Sequence, residues 1–162
     1  MKRGTTLLEM MVVVAVLAAV AAIAVPLVAD RSGARLAAAE TLLRDDLEQA
    51  RHRTIADPER AVMLLLDDDG GGWRLADVDD RTPIERLDGT PWTVRFGEGA
   101  AEGLDGISIA RDDLPTARAL RFDADGTAVL DAPARYSLRD DDRTRSIEVG
   151  VVTGLIRVIA AD

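Results

Sequence analysis

MKRGTTLLEMMVVVAVLAAVAAIAVP, residues 1–26, decides how the rest of the chain is read. Lys2, Arg3 and Gly4 come first, one carboxylate at Glu9 precedes an apolar run, Pro26 interrupts that run, and no further charge occurs before Asp30. A helical run of about 20 apolar residues matches the thickness of a hydrocarbon core, so the stretch is expected to span a membrane. Basic residues ahead of it predict a cytoplasmic N-terminus and a single pass, with the remainder on the far side. Glu9 is out of place in such a run, because a carboxylate in lipid is costly, and it reads as a functional group.

Three readings of the stretch compete. A secretory signal cleaved near Ala22-Ile23-Ala24 would explain the basic start, but Glu9 fits poorly in the apolar core of such a signal. A plain anchor explains the length and leaves Gly4 and Glu9 without a role. Taken jointly, the basic leader, Gly4, Thr5-Thr6-Leu7-Leu8-Glu9, the uninterrupted apolar helix and Pro26 resemble the class III signal of type IV pilins and pseudopilins. The resemblance implies that a prepilin peptidase cuts after Gly4 and methylates Thr5, the new N-terminus. It also implies that Glu9 serves subunit assembly and that Pro26 kinks the helix. Thr5 departs from the Phe or Met usual at that first mature position. The chemistry agrees with the resemblance: a lone buried carboxylate needs a partner, and the freed α-amino group of a neighbouring subunit would supply one.

The whole chain has 162 residues, and the part beyond the apolar run is long enough to bury one core of its own. Formal net charge is −9, and loss of Lys2 and Arg3 with a leader would make it more negative. Nucleic-acid binding is therefore not expected, since it needs clustered cations. The sequence contains no cysteine, which excludes disulfides, thiolate metal sites and cysteine nucleophiles.

Beyond Pro26 the helical pattern is expected to continue, giving one helix over about 5–56 that the proline bends rather than ends. Leu36, Leu43, Leu47, Ala50 and Thr54 recur at helical spacing and form one stripe, while Glu40, Arg44, Asp45, Glu48, Arg51 and His52 read as the polar side. Asp57-Pro58 closes the helix. Short strands separated by turn residues are then expected at 61–66, 73–78, 93–96, 107–109, 119–122, 128–130 and 136–138, with Asp123 to Gly126 as a turn. A terminal hairpin is expected from 146–152 and 155–160 around Thr153-Gly154, with Ile147, Val149 and Val151 on one face. The expected fold is α+β: a long N-terminal helix, transmembrane half plus amphipathic half, packed on a small antiparallel β domain of two sheets. Its parts are a leader at 1–4, a transmembrane and assembly helix at 5–29, an amphipathic continuation at 30–57 and a β-rich head at 58–162.

The resemblance extends further along the chain. Thr41-Leu42-Leu43-Arg44 through Ile55, the strand at 61–66 and Trp73 are similar to the helix and first hairpin of one pseudopilin branch. Leu120-Arg121-Phe122-Asp123-Ala124-Asp125-Gly126-Thr127, Arg145 to Val149 and Thr153 to Val158 are similar to its C-terminal half. That branch holds the minor pseudopilin H of type II secretion and the FimT-like minor pilins. The resemblance implies a structural subunit and no enzyme: a minor pseudopilin of a type II secretion system, made in the bacterial inner membrane with its head in the periplasm and then moved into a periplasmic pseudopilus. Implied partners are prepilin peptidase, other pseudopilins or pilins in a helical fibre, the inner membrane before assembly, and secreted cargo. The alternative is a FimT-like minor pilin of a type IV pilus, active in assembly initiation or DNA uptake, for which Arg135, Arg139, Arg143 and Arg145 would be the local basic patch.

Other chemical sites are weak in the sequence. His52 is the single histidine, so no common metal set can be completed around it, and it reads as a surface residue. Ser32, Ser108, Ser137 and Ser146 lack the context of a nucleophile elbow. Asp67-Asp68-Asp69 and Asp140-Asp141-Asp142 lack the spacing of a calcium loop and read as acidic turns. Gly70-Gly71-Gly72, with no lysine following, reads as a flexible turn. No cofactor or metal is expected.

Overall fold

The computed structural model describes residues 7–29, 31–112, 118–141 and 143–159. The chain divides into two compact units, residues 1–34 and 35–162. The first contains helix α1, Leu7–Ala29. Helix α2 is Arg31–Ala56, and from Arg35 onward it belongs to the second unit. The single helix expected over 5–56 is thus described as two helices, and Asp30 lies outside the described residues. Pro26 sits inside α1 and does not end it.

Among the described residues, no helix is long and apolar enough to cross a membrane. The transmembrane half expected at 5–29 is therefore corrected. So are the single-pass inner-membrane placement, the membrane as a partner and the periplasmic head that were inferred from it.

The helix-plus-sheet architecture itself is present. Among the described residues, eight strands form two antiparallel four-stranded sheets. The first sheet has the order β3-β2-β1-β5, with β1 Val62–Leu66, β2 Gly72–Asp77, β3 Thr93–Arg95 and β5 Ala119–Arg121. The second has the order β4-β6-β7-β8, with β4 Ser108–Arg111, β6 Ala134–Asp140, β7 Arg143–Val149 and β8 Ile156–Ile159. Tight reversals dictate the hairpins. Gly70 between β1 and β2 has φ +69, and a Cβ there would stand 2.8 Å from the Ile109 carbonyl oxygen. That carbonyl belongs to β4, whose Ile109 N–H donates to Gly70 O at 2.9 Å. The glycine run is therefore a close approach that ties one sheet to the other, not merely a flexible turn.

The expected stripe of α2 is buried in full: Leu36, Leu43, Leu47, Ala50 and Thr54, joined by Ala39, face a core that includes Leu64, Trp73, Leu75, Leu120, Tyr136, Leu138, Ile147 and Val149. Thr54 is the polar exception, and its hydroxyl is used twice, since Val62 N–H donates to it at 3.0 Å while it donates to Ala50 O at 3.0 Å. This closes the link from α2 into β1. Glu40, expected on the polar side, is buried and accepts from Arg145 at 2.8 Å.

Two strand assignments change. Residues 128–130 make only an isolated bridge, Phe122 with Ala128, because the turn at 123–127 returns the chain directly to β5 through Val129 N–H donating to Arg121 O. The last hairpin is shorter than expected. β7 ends at Val149, and Gly150 to Leu155 form the reversal, so Val151 leaves the buried row of Ile147 and Val149. A 3-10 turn at Gly99–Leu104, between the strands expected at 93–96 and 107–109, is pinned by Arg35. Its Nε donates to Gly103 O at 3.1 Å, and its guanidinium also reaches Asp105 and, at 3.6 Å, the buried Asp140.

Candidate functional site

Glu9 lies in the first turn of α1, where the unsatisfied N–H groups and positive end of the helix favour a carboxylate. It is exposed, and so are the apolar side chains after it. Met10, Met11, Val12, Val13, Val14, Val16, Leu17 and Val20 are between 48% and 65% accessible. Consecutive positions on a helix point in different directions, so this helix is apolar on every side. Gly4 and Thr5 lie outside the described residues. The surface that Glu9 introduces is of a kind that is stable only when covered.

In the second unit the polar groups serve the head's own architecture. Asp46, on the buried side of α2, accepts from both tryptophans of the chain: Trp73 Nε1 donates to Oδ2 at 2.8 Å and Trp92 Nε1 to Oδ1 at 2.9 Å. Arg53 and Arg86 each stack a guanidinium 4.9 Å from the Trp92 ring, and Trp73 meets Phe96 edge to face at 5.5 Å. Burial raises the Asp46 carboxyl above its ordinary range, and the two indole donors oppose that shift. The sequence carried a signal for this residue: Asp46 falls three residues after Leu43 and four before Ala50, on the apolar stripe.

A second junction joins the two segments that carry the C-terminal resemblance. Arg51 Nε donates to Gly126 O at 3.0 Å. Gly126 and Gly154 both have positive φ, +81 and +58, and a side chain at Gly154 would collide with Gly126 O. Asp123-to-Thr127 and Thr153-Gly154 therefore meet beside α2. Three Asp-x-Thr turns recur, at Asp80, Asp88 and Asp125. Each aspartate accepts from the backbone and the hydroxyl of the threonine two residues on, which holds its carboxyl below the ordinary range.

The weaker sequence sites do not assemble. His52 is exposed on α2, and among the described residues no serine hydrogen-bonds to it. Ser137 faces Ser146 at 3.3 Å and donates to Asp112 instead. Asp67 pairs with Arg74 at 3.2 Å and Arg95 at 3.5 Å, Asp68 with Arg118, and Asp69 with Arg95 at 2.5 Å. Asp140 is buried against Arg35, Asp141 turns at φ 48, and Asp142 lies outside the described residues. No metal-binding group of His, Cys, Asp and Glu occurs among the described residues. The four arginines do not form one patch. Arg135 and Arg139 are exposed on alternate positions of β6 and lie near Glu148 and Asp112, whereas Arg145 sits at the opposite parity of β7 and meets Glu40.

The sequence matches no protein-family model and no curated protein. Solved structures do match. The type IV minor pilin FimU of Pseudomonas aeruginosa strain PAO1 superposes with a TM-score of 0.59 at 16% identity, over 80% of this chain and 91% of that one. A second crystal form of FimU gives 0.55 at 17%, over 77% and 93%. The chain has a type IV pilin-like fold. The structures that it resembles are those of a minor pilin, not of an enzyme.

Proposed function

We propose that this chain is a structural subunit of a type IV pilus-like filament, with the role of a minor pilin. The observation that carries this reading is α1: its apolar side chains are exposed on every side, on a chain whose fold resembles a minor pilin. A helix that is apolar all round is stable only when buried, and copies of the same helix from neighbouring subunits are the cover that a filament provides. The head needs no such cover, because α2 and the two sheets already enclose its own core.

On this reading prepilin peptidase removes residues 1–4 after Gly4 and methylates Thr5. Glu9 then pairs with the α-amino group of a neighbouring subunit inside the apolar bundle, where an unpaired carboxylate would be costly. Pro26 supplies a bend in the helix. The same architecture would serve a type II secretion pseudopilus, and the likeness to a minor pilin is the reason to prefer the pilus.

Processing and assembly are tested separately. Gly4→Ala should leave a slower-migrating precursor in cells with active prepilin peptidase, and normal trimming of that variant would sink the cleavage assignment. Glu9→Val should be trimmed normally yet be missing from sheared, purified filaments. Filaments containing it at the parental level would remove the charge-pairing role.

A further inference from the structure

The outer face of the first sheet, turned away from α2, bears a charge opposite to that of the chain. Cross-strand register sets Arg74 beside Leu65, Leu65 beside Ala119, and Arg121 beside Met63. These residues share one face, and Leu64, Leu75 and Leu120 share the other. A half-open groove of about 430 Å³ lies there, with Leu65 and Ala119 on its floor and Asp68, Arg74, Arg81 and Arg118 around it. Three guanidiniums against one carboxylate make it a basic spot on a chain of net charge −9.

The three arginines are not equally engaged. Arg74 is held by Asp67 at 3.2 Å. Arg118 pairs with Asp68, whose side chain is 94% exposed, so that pair lies in water and is easily exchanged. Among the described residues, the Arg81 side chain has neither a hydrogen bond nor an ion pair. Its backbone is left-handed at φ 61, an unfavourable state for a residue with a long side chain, and it is fixed there by Arg81 N–H donating to Asp77 O and by the adjoining Asp80–Thr82 turn. A strained residue that holds an unpaired cation at a groove is the pattern from which a binding role is inferred.

We propose that this groove docks an acidic peptide segment of a neighbouring protein subunit. Arg74, Arg81 and Arg118 receive its carboxylates, and Leu65 and Ala119 support its side-chain stems. Guanidinium forks match carboxylates in bidentate geometry. A nucleic acid is the poorer fit, because a long phosphate backbone needs many clustered cations and would meet the negative field of the rest of the chain. The proposal rests on the filament reading only for the source of the peptide.

The test uses the full-length chain in mild detergent, titrated into fluorescein-labelled hexaglutamate and followed by anisotropy. Salt-sensitive binding is expected, with none to labelled hexaglutamine. Arg81→Asn keeps a residue that tolerates left-handed backbone and removes the guanidinium, so it should fold normally and bind about tenfold more weakly. Arg118→Gln should act in the same direction, and Arg135→Gln, on the other sheet, should bind like the parent. The groove assignment is overturned if hexaglutamate does not bind, if Arg81→Asn and Arg118→Gln bind it as the parent does, or if a labelled oligothymidylate of equal charge binds more tightly. Those results leave the filament reading intact, since that reading is tested separately, by whether the parent chain is present in sheared, purified filaments.

Discussion

Helices α1 and α2 are similar in length, 23 and 26 residues, and opposite in how their apolar surface is arranged. In α2 the apolar residues return every three or four positions, and the chain's own sheets bury them to near zero accessibility. In α1 they occupy every direction, and the described side chains from Met10 to Val20 remain exposed. A helix with one apolar stripe can be satisfied by its own domain, whereas a helix that is apolar all round asks for several partners at once. The one-sided helix is covered by its own domain, and on the filament reading proposed above the all-apolar helix would be covered by neighbouring subunits.

The largest test of this contrast is a truncation in each helix. Leu47→Ala should cost the head about 2–5 kcal/mol, read from the urea midpoint, because Leu47 is fully buried in the core. Val13→Ala should move that midpoint by less than about 0.5 kcal/mol and lower self-association instead. An equal loss of head stability from Val13→Ala would break the comparison.

The next effect concerns the one buried carboxylate on the apolar side of α2 that bridges two indoles. Asp46→Ala leaves the Trp73 and Trp92 N–H groups without their acceptor and should cost about 1–3 kcal/mol. The same site has a pH signature. Because burial raises the folded-state value of the Asp46 carboxyl, the fold takes up its proton more readily than the unfolded chain does. Its contribution is therefore most favourable at low pH and declines as pH rises through the unfolded and then the folded value. The parent should gain stability relative to Asp46→Asn as pH falls from about 7 to about 4, with the Asp-x-Thr turns cancelling between the two proteins. A difference that does not change with pH would remove the burial argument.

The smallest effect sharpens the polar side of α2. Arg44 and Glu48 form an exposed pair at 3.2 Å, one helical turn apart, and Arg44→Ala should cost less than about 0.5 kcal/mol in a thermal melt. A larger loss would mean that this face, too, is in use.

What was legible in the sequence was local. The stripe of α2, the approximate position of the eight described strands and the reversal at Asp123 to Gly126 come from side-chain period and turn chemistry, which act within a few residues. The misreadings share one cause. Residues 128–130 and Val151 have strand-forming side chains, yet closing hydrogen bonds in the adjoining turns leave them no ladder to join. Glu40 and Arg51 lie where the helical wheel predicts solvent, but a strand and a turn from the far end of the chain come to meet them. The membrane span expected from composition at 5–29 is corrected because no helix among the described residues is long and apolar enough to cross a membrane.

By itself, then, the sequence determined that there would be an apolar helix, a one-sided helix and a set of short antiparallel strands, because those depend on periodicity and on residues such as Gly, Pro and Asp that bias their own backbone. Only the tertiary structure decided that β5 would lie beside β1 and β4 beside β6, that Asp46 would hold both tryptophans, and that Gly126 and Gly154 would touch at Arg51. Each of those contacts joins residues far apart along the chain. Their selection is made by the packing of the whole core; the stripe can mark Asp46 as a buried position, but nothing local names its partners.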